Sequence, residues 1–312
     1  MSNIPFNNSE ELKKSMSGVD LKLDLENIRS SLDRVPNDLI EIIGKTVYDD
    51  MMAHYTTPKT TDVPVWDTLV ELCQKAMFPL ALYKHFIWLQ IRVSNGGVTT
   101  YKGTDETTAF GYQTDEAKES LLDTWGDFIS QIIDHLNGSK DVITHWPDTD
   151  QYKAQENKLF TGYREFSKVA NISPADAAFY IRIADLINDV IIDEVEPMLK
   201  ITDLEITDSK FRKAQKFVAF RALSLSAIQF DVTAMPKPIR QVALNEMNSK
   251  NSQGFDFVKG KLSAHYKQEA ENWLQKLSDS INAAKISADS ELLTKEITST
   301  TFSSTDKIAG IC

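Results

Sequence analysis

Four carboxylates recur at every fourth position in one segment: Asp115, Glu119, Asp123 and Asp127. On a helix such a series forms a single ridge. A ridge of this kind can hold a cation, line an acidic channel or dock a basic partner. A merely solvated helix face has the same pattern. A second feature lies just upstream, at Asn95-Gly96-Gly97. Glycine loops cradle phosphates when they join a strand to a helix N-terminus. This one follows a long apolar helical pattern, so it reads as a helix stop and turn.

Other chemistry has no matching pattern. The chain has no G-x-x-x-x-G-K-[ST], G-x-G-x-x-G or G-x-S-x-G. It has no H-E-x-x-H, C-x-x-C or Glu-x-x-His spacing for a zinc or di-iron centre. The histidines are scattered: His54, His85, His135, His145 and His265. His85 sits within an apolar helix and reads as a core or interface residue. The chain is therefore read as a non-enzyme, with no catalytic, cofactor-binding or metal-ligating residues.

The elements that must position the ridge and the loop are helices. Apolar positions at spacings of three and four predict a helix from about Leu23 to Val35 and another from Asn37 through Met51. The segment from Val65 to Val93 is apolar nearly all round, which places it at the centre of the core. From Thr114 to Leu136 the pattern is amphipathic. Leu121, Leu122, Trp125, Phe128, Ile129, Ile132, Ile133 and Leu136 form one stripe, with the carboxylates on the other side. Further helices are predicted at Lys210–Thr233 and 256–284, with a breaker at Met235-Pro236-Lys237-Pro238 between them. Ser173 and Pro174 read as N-cap and first helical residue of another. "GVTTYKG" alone suggests a short strand or hairpin arm. Phe86, Ile87, Leu89, Ile91, Leu223, Ile228 and Phe230 are the expected core.

The fold class is thus mainly α. The halves share a faint likeness: "NDLIEIIGKTVYDDMM" with "NDVIIDEVEPMLKITD", and "QKAMFPLALYKHFIWLQIRV" with "QKFVAFRALSLSAIQFDVTA". This suggests two helical repeats, at 21–138 and 174–284, joined by a linker at 139–173. An N-terminal arm (1–20) and a C-terminal tail (285–312) are expected to be extended. Each keeps isolated apolar anchors, Ile4, Phe6 and Leu12 in front and Leu292, Leu293, Ile297, Phe302, Ile308 and Ile311 behind, which suit docking into a neighbour's groove.

The net charge is −11 over 312 residues, which argues against broad adhesion to nucleic-acid phosphates. The N-terminus lacks the apolar core of a secretory signal. The longest apolar run, 76–91, is too short and too polar to span a bilayer, so no membrane partner is expected. Two cysteines, Cys73 and Cys312, are no disulfide framework and suit a reducing cytoplasm.

One arrangement of motifs resembles a known family. A long apolar helix ends in Val93-Ser94-Asn95-Gly96-Gly97-Val98. A polar segment follows, then Tyr112-Gln113, then an acidic helix bearing Glu119-Ser120-Leu121. Upstream stands Gly44-Lys45-Thr46-Val47-Tyr48-Asp49, and the second half has a helix closing on Glu196-Pro197-Met198-Leu199. Over roughly 25–235 this resembles the helical head–tail connector proteins of tailed bacteriophages, closest to the group in Bacteroidetes phages, crAss-like phages among them. The 235–260 connection and the tail have no counterpart in that pattern.

The resemblance implies a structural virion protein at the neck, made in the host cytoplasm. It would form a homo-oligomeric ring, of about twelve subunits by family analogy. Its partners would be the portal protein, tail or other neck proteins, and DNA passing without sequence-specific binding. An acidic ring lowers adhesion to passing phosphates. Asp115, Glu119, Asp123 and Asp127 would then face the channel or a docking partner. The same residues also suit a tail terminator or baseplate adaptor, or an unrelated cytoplasmic helical interaction module.

Overall fold

A computed structural model describes residues 4–15, 25–58, 61–94, 97–100, 111–199, 208–248 and 255–299. The fold is mainly α, as the periodicity predicts, with thirteen α-helices and one short two-stranded ribbon among the described residues. Two long helices centre the first half, α5 (Val63–Gln90) and α6 (Gly111–Gly138), and they pack on each other. In the middle of α5, Ala76, Met77, Phe78, Leu80 and Ala81 are all buried. Each large side chain of that kind stabilises the fold by about 1.5–3 kcal/mol. Four helices surround α5: α1 (Ser9–Ser15), α2 (Leu25–Leu32), α3 (Val35–Ile43) and α4 (Lys45–Thr56).

The second half centres on α11 (Ser209–Gln229), which packs along α13 (Phe255–Ser299). Against these lie α8 (Tyr163–Val169), α10 (Ala184–Val190) and α12 (Lys237–Asn248). Two short helices stitch the halves together. One is α7 (Asp150–Gln155), which touches α3 and α10; the other is α9 (Ala177–Arg182), which touches α6 and α3. A single apolar cluster runs from Ile4 to Leu277. The halves share the order of a long helix packed on a later one, but they do not form separate cores.

The segment 139–173, expected as a linker, is part of that core. Residues 139–158 are mostly polar, but the segment carries large aromatic side chains. Trp146, Phe160 and Phe166 are essentially inaccessible. Trp146 Nε1 donates to Asn137 Oδ1 at 2.9 Å, so its polar atom is satisfied in place. Sparse composition resembles a linker, but aromatic burial makes this segment a wedge between α6 and α11.

Both ends depart from the extended arms expected of them. In front, Ile4, Phe6 and Leu12 are buried in the chain's own core rather than free for a neighbour. Asn8 Oδ1 accepts from the amides of Glu10 and Glu11 at the start of α1. Gln74 Nε2 donates to the Pro5 carbonyl at 2.6 Å, and Tyr55 OH donates to Glu11 at 2.6 Å. Behind, α13 continues through Ser299, a span of 45 residues or about 68 Å. No glycine or proline interrupts 285–299, and Ala288, Glu291, Leu292, Leu293, Lys295 and Glu296 favour helix, so propensity outweighs the serines and threonines. Of the anchors expected there, Leu292, Leu293 and Ile297 fall on this helix instead of an extended strand, their side chains outside the described set, and Phe302, Ile308 and Ile311 lie outside the described residues.

Smaller corrections have local causes. Ser173 and Pro174 do not open a helix. Asp176 caps α9 instead, its Oδ1 accepting from Phe179 N at 2.9 Å. Of the expected core, Leu223 is buried, Phe86 and Phe230 are half-buried, and Ile228 is 61% exposed. Ile228 falls in the last turn of α11, where α13 reaches its carbonyl through Lys259 Nζ at 3.4 Å while its side chain faces solvent. Lys118 Nζ lies 5.4 Å above the Phe86 ring. The side chains of Ile87, Leu89 and Ile91 are outside the described set.

Candidate functional site

The carboxylate ridge lies on α6, but only its ends are free. Asp115 and Asp127 are exposed, whereas Glu119 and Asp123 are covered by α12. Arg240, on the first turn of α12, is buried to 5% side-chain exposure. Its Nε donates to Glu119 at 2.7 Å, its Nη2 to Asp123 at 2.7 Å and its Nη1 to the Met235 carbonyl at 2.9 Å. Lys237 pairs with Asp123 as well. The expectation that all four carboxylates face a channel or partner is therefore corrected for the middle two. They form an internal clamp because α12 crosses the ridge there. The partner cations sit more than 110 residues away in sequence, which is why pattern alone missed them. The available signal was Lys237 and Arg240, spaced i, i+3 at a helix start after a proline breaker.

Beneath the clamp lies a cavity of about 250 Å³, walled by α3, α5, α6, α9 and α12. Its apolar side is formed by Leu80, Leu122, Trp125 and Phe179. Its polar side alternates in sign. Lys84 on α5 pairs with Asp38 on α3, and Arg182 on α9 pairs with Glu41 on α3 at 3.1 Å. Asp176 adds a carboxyl whose pKa is raised by burial, against the lowering pull of the Phe179 amide and of Arg182 and Arg240. Tyr83 is raised too, first by burial and then by Asp231 and Glu119, with Arg240 opposing. Cations and carboxylates are matched one to one around most of this wall. Such an arrangement locks helices in register; it does not present a surplus charge to a ligand.

Three of the histidines contact other elements of the fold. His54 is buried and lies 2.8 Å from Asp67 through Nε2, beside Trp66. His85 is half-buried, 3.3 Å from Ser31 Oγ, and burial lowers its pKa. His135 Nε2 lies 2.9 Å from the Val65 carbonyl, fixing α6 to the start of α5. No group of three or more potential metal ligands occurs among the described residues. No helix among them is long and apolar enough to cross a membrane.

Of the loop marked by Asn95, Gly96 and Gly97, the described part belongs to a two-stranded ribbon. Strand β1 (Ile91–Ser94) continues directly from α5 and pairs antiparallel with β2 (Gly97–Thr100). The register matches Ile91 with Thr100 and Ser94 with Gly97. The hairpin arm suggested by "GVTTYKG" is thus present. Asn95 and Gly96 lie outside the described residues, as do 101–110. The ribbon packs mainly on itself, with further contact to the end of α5.

Gly44 has a structural reason. It separates α3 from α4 at φ 81°, a left-handed value that favours glycine. A Cβ there would stand 2.9 Å from both Thr149 Cγ2 and Gln151 Oε1. Just after it, Val47 and Tyr48 are fully buried and Lys45 pairs with Asp49 at 2.6 Å.

The model of a family of unknown function (DUF6712) matches residues 39–156. That span starts inside α3, includes Gly44, α5, the ribbon and α6, and ends just past α7. It therefore crosses the boundary expected at 138 and takes in the first part of the wedge. Neither the curated proteins nor the solved structures contain a match to the chain.

Proposed function

We propose that this chain is a structural subunit of a head–tail connector ring in a tailed bacteriophage, placed between portal and tail and open at its centre for DNA. The supporting observation is the α5–ribbon–α6 unit. Two long helices pack on each other through apolar side chains, the second is held by the Arg240 clamp, and the connection between them carries a ribbon that packs mainly on itself. A stiff paired stem bearing a small sheet is a device for reaching another molecule. The net charge of −11 suits a pore wall that DNA must slide past. Asp115 and Asp127, exposed on the same stem, are the carboxylates left to face the channel or a neighbour.

Two measurements test this. Negative-stain images of the purified full chain should show closed rings. Antibody or gold labelling of the assembled particle should place the chain where head meets tail. Labelling confined to the baseplate would overturn the connector reading in favour of an adaptor. A particle lacking the chain altogether would move it to a cytoplasmic interaction module.

A further inference from the structure

We propose that the β1–β2 ribbon is the ring's joining element: its outer edges pair with the ribbons of neighbouring copies, closing a β-barrel around the axis. The inference rests on the ring reading above and names the contact that makes the ring.

The register decides which backbone groups are free. Ser94 pairs with Gly97, and only two residues lie between them. In a two-residue hairpin the flanking pair is the closing hydrogen-bonded pair. Hydrogen-bonded and non-hydrogen-bonded pairs alternate along an antiparallel ladder. Arg92 and Thr99 therefore bond to each other across the ribbon. Val93 and Val98, and Ile91 and Thr100, turn their amides and carbonyls outward. Each strand thus presents an open edge, and the two edges lie on opposite sides of one ribbon.

Edges of this kind are normally blunted. Monomeric proteins place charges, prolines or bulges on them, or cover them with another element. The eight strand residues contain no proline and a single charge, Arg92. The ladder has no bulge. Among the described residues no third strand exists to cover either edge. A two-stranded ribbon by itself is only marginally stable in water.

A second copy supplies the missing strand. The β2 edge of one copy meets the β1 edge of the next, so the contact uses two different surfaces of each chain. Contacts of that class repeat and close when the rotation allows. A closed barrel then leaves no edge unpaired.

The test removes one outward amide and leaves the ribbon's own ladder alone. Val98→Pro deletes an amide that the geometry places outside the β1–β2 pair. The full-length variant should keep wild-type helical circular dichroism and melting temperature but elute as a monomer where the wild type elutes as a ring. Val98→Thr, which keeps the amide, should assemble normally. If Val98→Pro unfolds the chain, Val93→Pro interrupts the opposite edge and carries the same expectation. A folded Val98→Pro variant that still forms wild-type rings overturns the ribbon contact. So does a wild type that stays monomeric at every concentration tried. The connector reading fails separately, by the label missing from the head–tail junction while Val98→Pro still abolishes the oligomer.

Discussion

Gly44 is held at a left-handed φ with Thr149 and Gln151 against the face where a side chain would be. Gly44→Ala meets both obstacles. That backbone, φ 81° with ψ 149°, is close to glycine-only and costs an alanine about 1–3 kcal/mol, and α7 must shift to admit the methyl group. Urea unfolding should show a loss of at least that size. The Arg240 clamp makes a different demand. Arg240→Met leaves Glu119 and Asp123 without their guanidinium. Breaking a fully buried pair costs about 3–5 kcal/mol. The carboxylates keep 19% and 21% of their side-chain surface exposed, and solvent screens them, so the loss should be about 2–3 kcal/mol. Adding Glu119→Gln and Asp123→Asn to Arg240→Met should recover part of it in the same assay. Asp176 gives a pH signature. Burial raises its pKa on folding, so the folded chain holds the proton more tightly than the unfolded one. That contribution to stability is present at low pH and is lost as pH rises through the folded value. Asp176→Asn keeps a cap acceptor for Phe179 and has no proton to lose. Its urea midpoint should fall less than that of the wild type between about pH 4 and pH 7.

At the scale of elements, helix period was a faithful guide and helix ends were not. α5, α6 and α11 lie within a few residues of their predicted spans, because each carries an apolar stripe longer than three turns. The ends depend on partners that the period does not encode. Asp176 displaced Ser173 as a cap because its carboxylate reaches the Phe179 amide. The wedge at 139–173 reads as a linker because 139–158 is mostly polar; beyond it Leu159, Phe160, Tyr163, Phe166 and Ala170 do recur at helical spacing and are buried, a signal that the polar run before them obscured. The carboxylate series was visible in the sequence; its division into a clamped centre and free ends was not, since Arg240 arrives from another helix. The far end of α13 gives this scale its own prediction. Leu277 is buried and Ile286 is 70% exposed, so packing on α11 has lapsed by that point. A chain stopped after Ala284 should unfold within about 0.5 kcal/mol of the full chain, the range of surface changes. A larger loss in urea would mean that 285–312 packs on the core.

For the whole molecule, the proposed ring makes different demands on the two ends. The front of the chain is already committed to its own core. Phe6 is 2% exposed, and Pro5 and Glu11 beside it are bound by Gln74 and Tyr55. Phe6→Ala should therefore destabilise the isolated subunit by about 3–5 kcal/mol, and assembly should suffer only through that loss. Residues 300–312 are different in composition: a polar run with Phe302, Ile308 and Ile311 as its only large apolar groups. Ordering such a run costs about 1–2 kcal/mol per residue in backbone entropy, more than three anchors return without a surface to bury them. In the proposed ring a neighbour would supply such a surface. Protease mapping of free subunit against assembled particle reads this directly. Cleavage near Phe302 should be fast in the free chain and at least tenfold slower in the particle, while cleavage near Phe6 should be slow in both. Equal rates near Phe302 would leave the ribbon as the contact between copies and deny the tail any part in it. Fast cleavage near Phe6 in the free chain would instead free the front segment for a neighbour, and the core described around α1 and α5 would have to be redrawn.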